Sequence, residues 1–405
     1  MSDFSSFFLM TPDDVRRYAV EVLHLFTPDE PTCCTEIGDG NINYVFRVWS
    51  ERDGHSMVVK QADRLLRSSG RLLDQNRSRI EAAILRLEGE LAPGFVPEVY
   101  HYDEVMAATA MEDVSDYRNL RRELMAGRFY THLAANISTF LADTLLPTTD
   151  LVLDAEEKKR RVQFFTNPEL CKITEDLVLT EPYYDYKGRN ILTPGTEDFV
   201  QRTLYSDEAL HAEVAVLRLG FMNNAQALLH GDLHSGSIFI NEQGLKILDP
   251  EFAFYGPIGY DIGNVIGNLF FSWANKTFTG MHLEIIPDLE QCIAEIYDLT
   301  LEKLSARYDE FVELPLYRVP SFKAAWLGNV MADSVGYAGT EIIRRTVGDS
   351  KVMEITSVSD LSRRILMERA LIRLGIMLIK NRTRLRSGSE ITGCFRSILA
   401  SGEER

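Results

Sequence analysis

The segment HGDLHSGSIFINEQGLKILDPE, residues 230–251, gives the strongest indication of the fold of this chain. It opens on a His-Gly-Asp segment that carries Asp232 and closes on Asp249 and Glu251. Between them, short apolar segments flank a Glu-Gln-Gly turn signal, which predicts strands over Ser237–Ile240 and Leu245–Leu248. One carboxylate is therefore expected on a loop before a hairpin, and two more directly after it.

Carboxylates in this layout fit the catalytic core of a kinase. One must accept the proton of the attacking hydroxyl, and Asp232 suits that role. Another must face the metal that bridges the β- and γ-phosphates of ATP, which suits Asp249 with Glu251. Because alternate residues of an extended segment project to one side, both are expected to reach Mg²⁺, directly or through water. Each residue alone reads equally as a surface carboxylate, so their joint spacing carries the interpretation.

A glycine-containing segment upstream, Ile37–Phe46, is a candidate loop for covering the phosphates of ATP. Gly38 and Gly40 would let backbone N–H groups approach the phosphates, with Asn41 and Asn43 beside them. The third glycine of the G-x-G-x-x-G pattern is absent, and Asn43 stands in its place. By itself this match is weak, and an ordinary β-turn explains it equally well.

Further positions strengthen the kinase interpretation through their order. A strand predicted over Ser56–Gln61 carries Lys60, which would pair with the α- and β-phosphates, and the following predicted helix carries Glu81, placed to orient that lysine. Taken singly, both read as solvated charges. Glu112 and Val114 fall where strand-rich sequence gives way to helix-rich sequence, and their main-chain groups would contact the adenine edge.

The order of predicted elements indicates an α+β protein with a two-lobed, protein-kinase-like fold. Strands over Asn43–Trp49 and Ser56–Gln61, a helix over Arg77–Leu87 and strands over Pro97–Tyr102 and Ala107–Met111 form a small β-rich N-terminal lobe. We place this lobe at residues 1–113 and a larger, mainly helical C-terminal lobe at 114–405. Single helices are predicted over Arg118–Leu145 and Glu208–Leu229, and a mobile polar tail over Arg382–Arg405.

The overall composition restricts the classes of partner that this protein is expected to bind. The 405 residues carry 60 acidic against 43 basic side chains, a net charge of −17, which argues against nucleic-acid and anionic-membrane partners because both require a basic surface. The five cysteines show no C-x-x-C spacing, so neither a disulfide framework nor a zinc site is indicated. No signal peptide is visible, and the apolar stretches are too short to span a bilayer. A cytoplasmic protein is expected.

With these motifs assembled, the chain closely resembles the 5-methylthioribose kinases, a family within the aminoglycoside-phosphotransferase-like kinases. His230–Leu269 resembles that family's core, including Asp-Pro-Glu in place of Asp-Phe-Gly, and the likeness extends to Gly38–Phe46, Met111–Asp116 and Gly336–Gly348. The resemblance implies ATP- and Mg²⁺-dependent phosphorylation of the 1-hydroxyl of 5-methylthioribose, a step of methionine salvage, by a homodimer.

The resemblance also implies roles for individual residues. Asp232 would be the catalytic base and also contact the sugar, with Asp249 and Glu251 binding the metal. Arg344 and Arg345 match twin arginines near the family's substrate; without that match, two solvated arginines at a helix end would be the preferred interpretation. The loop asparagine that usually binds metal is Ser237 here, and Glu251 is expected to supply the missing ligand.

Four further residues near these motifs are assigned structural roles. Asp261 is expected to order the catalytic loop, and Tyr255 and Trp273 to lie in the core. His234 is expected to hydrogen-bond within its loop rather than act as a base.

Two alternatives stay open at this point. One keeps the fold but changes the substrate to another 5-substituted ribose such as 5-deoxyribose, or to an aminoglycoside, choline or homoserine. A cationic substrate would favour acids or an aromatic cage, so the arginine pair argues against aminoglycosides and choline. The other is a nucleotide-binding pseudokinase scaffold, which the joint presence of Lys60, Asp232, Asp249 and Glu251 disfavours.

Overall fold

The computed structural model describes residues 3–37, 43–65 and 72–401. The chain forms two compact units. The first comprises Met1–Tyr117 with Lys246–Ala253, and the second comprises Arg118–Leu245 with Phe254–Arg405. The division predicted from sequence is corrected in one respect, because the segment that carries Asp249 and Glu251 belongs to the first unit rather than to the C-terminal one. Sequence order could not show this, since the segment returns to the first unit only through tertiary contacts.

The first unit is a five-stranded antiparallel sheet with two helices. Its elements are α1 (Pro12–Glu21), β1 (Thr32–Glu36), β2 (Asn43–Ser50), β3 (Ser56–Ala62), α2 (Asn76–Leu91), β4 (Val99–Asp103) and β5 (Ala108–Glu112), with strand order β1-β2-β3-β5-β4. The predicted strands and helix are confirmed, with β1 as an additional strand that the sequence analysis did not assign. Strand β3 lies at the centre of the sheet, where β2 and β5 flank it on either side.

Helix α1 begins and packs as its sequence predicts. The Thr11 hydroxyl accepts the Asp14 N–H, and the Asp14 side chain accepts the Thr11 N–H, which completes a capping box. Its buried face, with Val15 and Tyr18, lies in one hydrophobic core with Phe46 of β2. Burying each such side chain contributes about 1.5–3 kcal/mol, so this core holds the sheet against its helix.

The second unit is mainly helical. Its elements in chain order are β6 (Arg118–Asn119), α3 (Leu120–Met125), α4 (Leu133–Leu145), α5 (Ala155–Phe164), α6 (Pro168–Leu177), α7 (Glu181–Tyr184), α8 (Glu197–Val200), α9 (Glu208–Asn223), β7 (Ala227–Leu229), β8 (Ile238–Asn241), β9 (Gly244–Ile247), β10 (Phe254–Gly256), α10 (Gly259–Thr279), α11 (Ile286–Phe311), α12 (Pro320–Val347), α13 (Met353–Thr356), α14 (Leu361–Asn381) and α15 (Gly388–Ser401). The chain leaves this unit along β9 and returns to it at β10. Among the described residues, none of the helices combines the length and the apolar character that crossing a bilayer requires.

Glycines on α10 bring it close to α12. A Cβ atom at Gly263 would lie 2.5 Å from the Ser334 carbonyl oxygen and 2.7 Å from the Ala338 nitrogen, a separation that only glycine permits. At Gly267 the same construction falls 2.8 Å from the Ala338 carbonyl oxygen. The two backbones therefore pack directly on each other, which fixes the position of the C-terminal half of α12.

Three element predictions in the second unit are wrong. The helix predicted over Arg118–Leu145 is interrupted, and the helix predicted over Glu208–Leu229 ends at Asn223 before strand β7. The tail is not a mobile segment in its described part, because α15 buries Phe395 against Phe270 and Trp273. Ile391, Cys394 and Phe395 carry a helical apolar period that the polar composition of the tail concealed.

Candidate active site

The strand lysine and the helical glutamate of the first unit form an ion pair. Lys60 lies on β3 with only 7% of its surface exposed, and its ammonium nitrogen lies 2.6 Å from Glu81 Oε1 on α2. The same nitrogen lies 2.6 Å from Asp249 Oδ1. The structure thus brings together Lys60, Glu81 and Asp249, three residues that the sequence analysis had placed in one site.

Burial and charge act in opposite directions on this group. Burial raises the pKa of the Glu81 carboxyl, and the positive charge of Lys60 opposes that rise. Burial alone would lower the pKa of the Lys60 ammonium, but the carboxylates of Asp249 and Glu81 outweigh it and raise that pKa. Lys60 is therefore a fixed positive charge at neutral pH, held in place by two acids.

The segment of Asp249 and Glu251 is not extended, so the geometric premise for expecting both side chains on one side is wrong. Asp249 has a left-handed backbone (φ 64°), and Pro250–Phe252 form a short 3₁₀ turn rather than an extended segment. The side chain of Asp249 is 53% exposed, whereas that of Glu251 is 7% exposed. The turn directs Glu251 toward Asn43, whose amide donates to Glu251 Oε2 at 3.2 Å.

Arg77 is a site residue that the sequence analysis missed. It is 3% exposed at the start of α2, and its Nε lies 3.3 Å from Glu251 Oε2. Its Nη2 donates to Asn43 Oδ1 at 3.0 Å. Asn43, predicted to belong to the phosphate-covering loop, is thus held by Glu251 and Arg77. Gly38, Gly40 and Asn41 lie outside the described residues.

Carboxylates at Asp249 and Glu251 suit a magnesium ion in their chemistry. Mg²⁺ keeps several waters and takes one or two carboxylates together with phosphate oxygens, rather than a cage built wholly of protein ligands. The described part of the chain contains no cluster of three or more His, Cys, Asp or Glu side chains arranged to hold an ion. The half-exposed Asp249 carboxylate is the more accessible of the two acids.

The predicted adenine-contacting segment follows β5. The Glu112 N–H donates to the Glu98 carbonyl at 2.8 Å, and the Val114 carbonyl accepts the Tyr117 N–H at 2.9 Å. The Glu112 side chain accepts a 2.8 Å hydrogen bond from Lys246 Nζ. This ion pair ties the returning segment of the first unit to the end of its sheet.

In the second unit, a glycine turn and a buried carboxylate shape the loop of Asp232. Gly231 has φ 83°, a backbone conformation that favours glycine. Asp261, buried on α10, accepts the His230 N–H at 2.7 Å and the Gly231 N–H at 3.0 Å. Asp261 therefore orders the loop through hydrogen bonds, as predicted, and Tyr255 and Trp273 lie in the core.

His234 holds the other side of the loop. Its Nδ1 accepts the N–H groups of Gly236 and Ser237 at 3.0 and 3.1 Å, so in the neutral ring the proton resides on Nε2. Nε2 lies 3.6 Å from Asp232 Oδ2. Burial lowers the pKa of His234 to about 4, so the ring is neutral at pH 7 and its protonated nitrogen faces the aspartate.

Arg344 and Arg345 on α12 approach the same aspartate. Arg344 Nη2 lies 3.2 Å from Asp232 Oδ1, and Arg345 Nη2 lies 3.6 Å from the same oxygen. Burial would raise the pKa of the Asp232 carboxyl, but His234, Arg345 and Arg344 outweigh it and lower that pKa. Because His234 is neutral at pH 7, the two guanidiniums are the cause that operates there. Asp232 is therefore ionised at neutral pH.

The α+β fold, the buried lysine–glutamate pair and the ordered His-Gly-Asp loop together define the class of small-molecule phosphotransferases. The profile of the family described as "Phosphotransferase enzyme family" matches residues 34–285, more than half of the chain. Among curated relatives, methylthioribose kinases from Geobacillus sp. (strain WCH70) and Pectobacterium atrosepticum are each 38% identical, covering 94% and 91% of this chain and 94% and 93% of their own. The chain belongs to the methylthioribose kinase family.

A solved structure of choline kinase from Cryptosporidium parvum Iowa II aligns with 90% of this chain and 96% of its own, at a TM-score of 0.47 and 14% identity.

Proposed function

We propose that this protein transfers the γ-phosphate of ATP to the 1-hydroxyl of 5-methylthioribose, giving 5-methylthioribose 1-phosphate, with Mg²⁺ as the metal. The observation that carries the proposal is the ionised Asp232 carboxylate faced by two guanidiniums whose side chains are 12% and 11% exposed, in a chain that aligns along almost its whole length with methylthioribose kinases. This step belongs to methionine salvage, and we propose that it is carried out in the cytoplasm by a homodimer.

Asp232 serves as the general base. Its carboxylate takes the proton of the sugar 1-hydroxyl as that oxygen forms a bond to the γ-phosphorus, and the bond from the γ-phosphorus to the bridging oxygen of ADP breaks. Its depressed pKa keeps it unprotonated and ready to accept the proton. Arg344 and Arg345 bind the sugar hydroxyls and offset negative charge on the transferred phosphoryl group.

The first unit supplies the groups that bind ATP. Lys60, fixed by Glu81, binds the α- and β-phosphates. Asp249 and Glu251 would hold Mg²⁺, which when bound neutralises charge on the β- and γ-phosphates. The segment Gly38, Gly40, Asn41 and Asn43 covers the phosphates, and main-chain groups of Glu112 and Val114 bind the adenine edge.

A substrate comparison tests the proposal. ATP consumption with Mg²⁺ is measured for 5-methylthioribose, 5-deoxyribose, ribose and kanamycin at matched concentrations. We expect 5-methylthioribose to exceed every other acceptor by about tenfold or more in kcat/KM, which corresponds to about 1.4 kcal/mol. A preference for 5-deoxyribose would reassign the substrate within the same reaction, and turnover of none of them would favour a nucleotide-binding scaffold.

A further inference from the structure

Glu341 binds both arginines that face Asp232. It lies on α12 with 1% of its surface exposed. Its Oε2 accepts the Arg344 Nε–H at 2.6 Å, and its Oε1 accepts the Arg345 Nε–H at 3.0 Å. Residues three and four positions apart lie on the same face of a helix, so one carboxylate holds two guanidiniums side by side.

This arrangement leaves one Nη group of each arginine, Nη2, directed at the catalytic aspartate. With each Nε engaged by Glu341, each guanidinium is fixed at one edge while Nη2 reaches Asp232 Oδ1. An arginine side chain that is already fixed in this way loses less rotamer entropy when it binds a substrate. We propose that Glu341 is a positioning residue for sugar phosphorylation, which orients Arg344 and Arg345 toward the sugar and the transferred phosphoryl group; this rests on the function proposed above.

The charges of this group agree with such a role. Burial would raise the pKa of Glu341, but Arg344 and Arg345 outweigh it and lower that pKa, so Glu341 is an anion at neutral pH. Two guanidiniums then face two carboxylates, Glu341 and Asp232, and the group is neutral. When Asp232 accepts the proton of the sugar, the group carries a net positive charge beside the incoming phosphoryl group. A neutral residue at 341 would leave that excess positive charge in place before the reaction begins.

Side chains behind Glu341 hold it in this orientation. Asn268 on α10 donates to Glu341 Oε1 at 3.0 Å, and Arg121 Nη2 donates to Asn268 Oδ1 at 2.9 Å. The glycine at 267 permits the approach of the helices at this level, since a Cβ atom there would lie 2.8 Å from the Ala338 carbonyl oxygen and 3.4 Å from Glu341 Cβ. Asn268 is therefore a second position at which the orientation of the arginines can be disturbed without changing a charge.

Glu368 provides a matched control for burial and pairing. It is also 1% exposed, lies on α14, and pairs with Lys351 at 3.0 Å and with Arg364 four positions earlier at 3.1 Å. Glu368→Gln removes a buried helical carboxylate from cationic partners that are not the twin arginines. The change in its unfolding temperature measures how far the loss of such a carboxylate destabilises the fold.

The experiment compares steady-state kinetics of the full-length wild type, Glu341→Gln and Glu368→Gln, varying 5-methylthioribose and ATP separately, with thermal unfolding of each. For Glu341→Gln we expect the KM for the sugar to rise and kcat to fall, each by about tenfold or more, while the KM for ATP stays within about twofold. A purely structural role predicts fewer active molecules, hence a lower apparent kcat with both KM values unchanged. Glu368→Gln is expected to lower the unfolding temperature and leave both KM values unchanged.

If Glu341→Gln does not fold, Asn268→Ala is the variant that tests the positioning role of Glu341. It should raise the KM for the sugar by about three- to tenfold with no change in the KM for ATP, because Glu341 keeps its charge but loses its support. If the wild type is active and Glu341→Gln keeps the wild-type KM for the sugar, this inference alone is overturned. If Glu341→Gln does not fold, an unchanged sugar KM in Asn268→Ala has the same meaning. A wild type that does not phosphorylate the sugar overturns the proposed function, and this inference with it.

Discussion

Replacing Asp232 with asparagine isolates the chemical role of its carboxylate. The substitution keeps the shape of the side chain and its position among Arg344, Arg345 and His234, but removes the negative charge and the proton-accepting oxygen. Loss of a general base typically lowers the rate by about 10²–10⁴-fold, which at about 1.36 kcal/mol per tenfold is about 2.7–5.4 kcal/mol of barrier. We therefore expect kcat with 5-methylthioribose to fall by at least about a hundredfold.

The effect of the same substitution on stability should be small. The Asp232 side chain is 27% exposed, and its contacts with the arginines are 3.2 and 3.6 Å long. Ion pairs open to solvent contribute about 0–1 kcal/mol, so the unfolding temperature should fall by no more than about 2–4 °C. ATP binding should be unaffected, because Lys60 and Asp249, the groups proposed to bind the phosphates and the metal, are unchanged in this variant.

A matched control separates the two effects. Asp333, also on α12, is 24% exposed and lies 2.9 Å from Arg382 Nη1, so Asp333→Asn removes a carboxylate of similar exposure from an arginine partner. ADP release with 5-methylthioribose, ATP binding by calorimetry and thermal unfolding are measured for both variants. Asp333→Asn should retain wild-type turnover. An Asp232→Asn variant that turns over within about tenfold of wild type would falsify the role of Asp232 as base.

Further outcomes follow from other parts of the molecule. Lys60→Met leaves the buried Glu81 carboxyl without its ammonium partner, so we expect a loss of about 3–5 kcal/mol in urea unfolding together with a raised KM for ATP; an unchanged KM would remove Lys60 from the nucleotide site. The lowered pKa of Asp232 makes its stabilising contribution complete above the unfolded pKa of about 3.9 and lost as pH falls below it. The difference in unfolding free energy between wild type and Asp232→Asn should therefore be equal at pH 7 and pH 6 and shrink only once the pH falls below about 3.9, and a difference that disappears by pH 6 would contradict the lowered pKa. Phe395→Ala should cost about 3–5 kcal/mol, because its ring is fully buried, and a loss below about 1 kcal/mol would show that α15 is not part of the core.

Most of the site could be placed from sequence because its residues lie on short local patterns. The strand of Lys60 and the loop of Asp232 each follow from a few neighbouring residues, and both are present. The lysine–glutamate pair was also predictable, since a strand followed by a helix brings one face of each element together. The family was evident from the same motifs, and the 38% identity to methylthioribose kinases agrees with it.

Local pattern failed where long-range packing decides the conformation. The segment with Asp249 and Glu251 looked extended, but Asp249 adopts a left-handed backbone, and Glu251 is drawn toward Asn43 and Arg77, which lie far away in sequence. The polar tail looked mobile because its apolar residues are few, yet Phe395 meets Phe270 across the unit.

The chemistry that this protein carries can be predicted from its sequence, because carboxylates, a strand lysine and a pair of arginines are recognised by type and spacing. Which of these side chains contact one another follows only from the three-dimensional fold. In sequence, Glu341 is one of many acids on an amphipathic helix. In the structure, the close packing of α10 on α12 buries it against Asn268, and it pairs with both Arg344 and Arg345. Periodicity assigns a residue to a face of its own helix, but the partner of that face is set by contacts between distant segments, which no local pattern encodes.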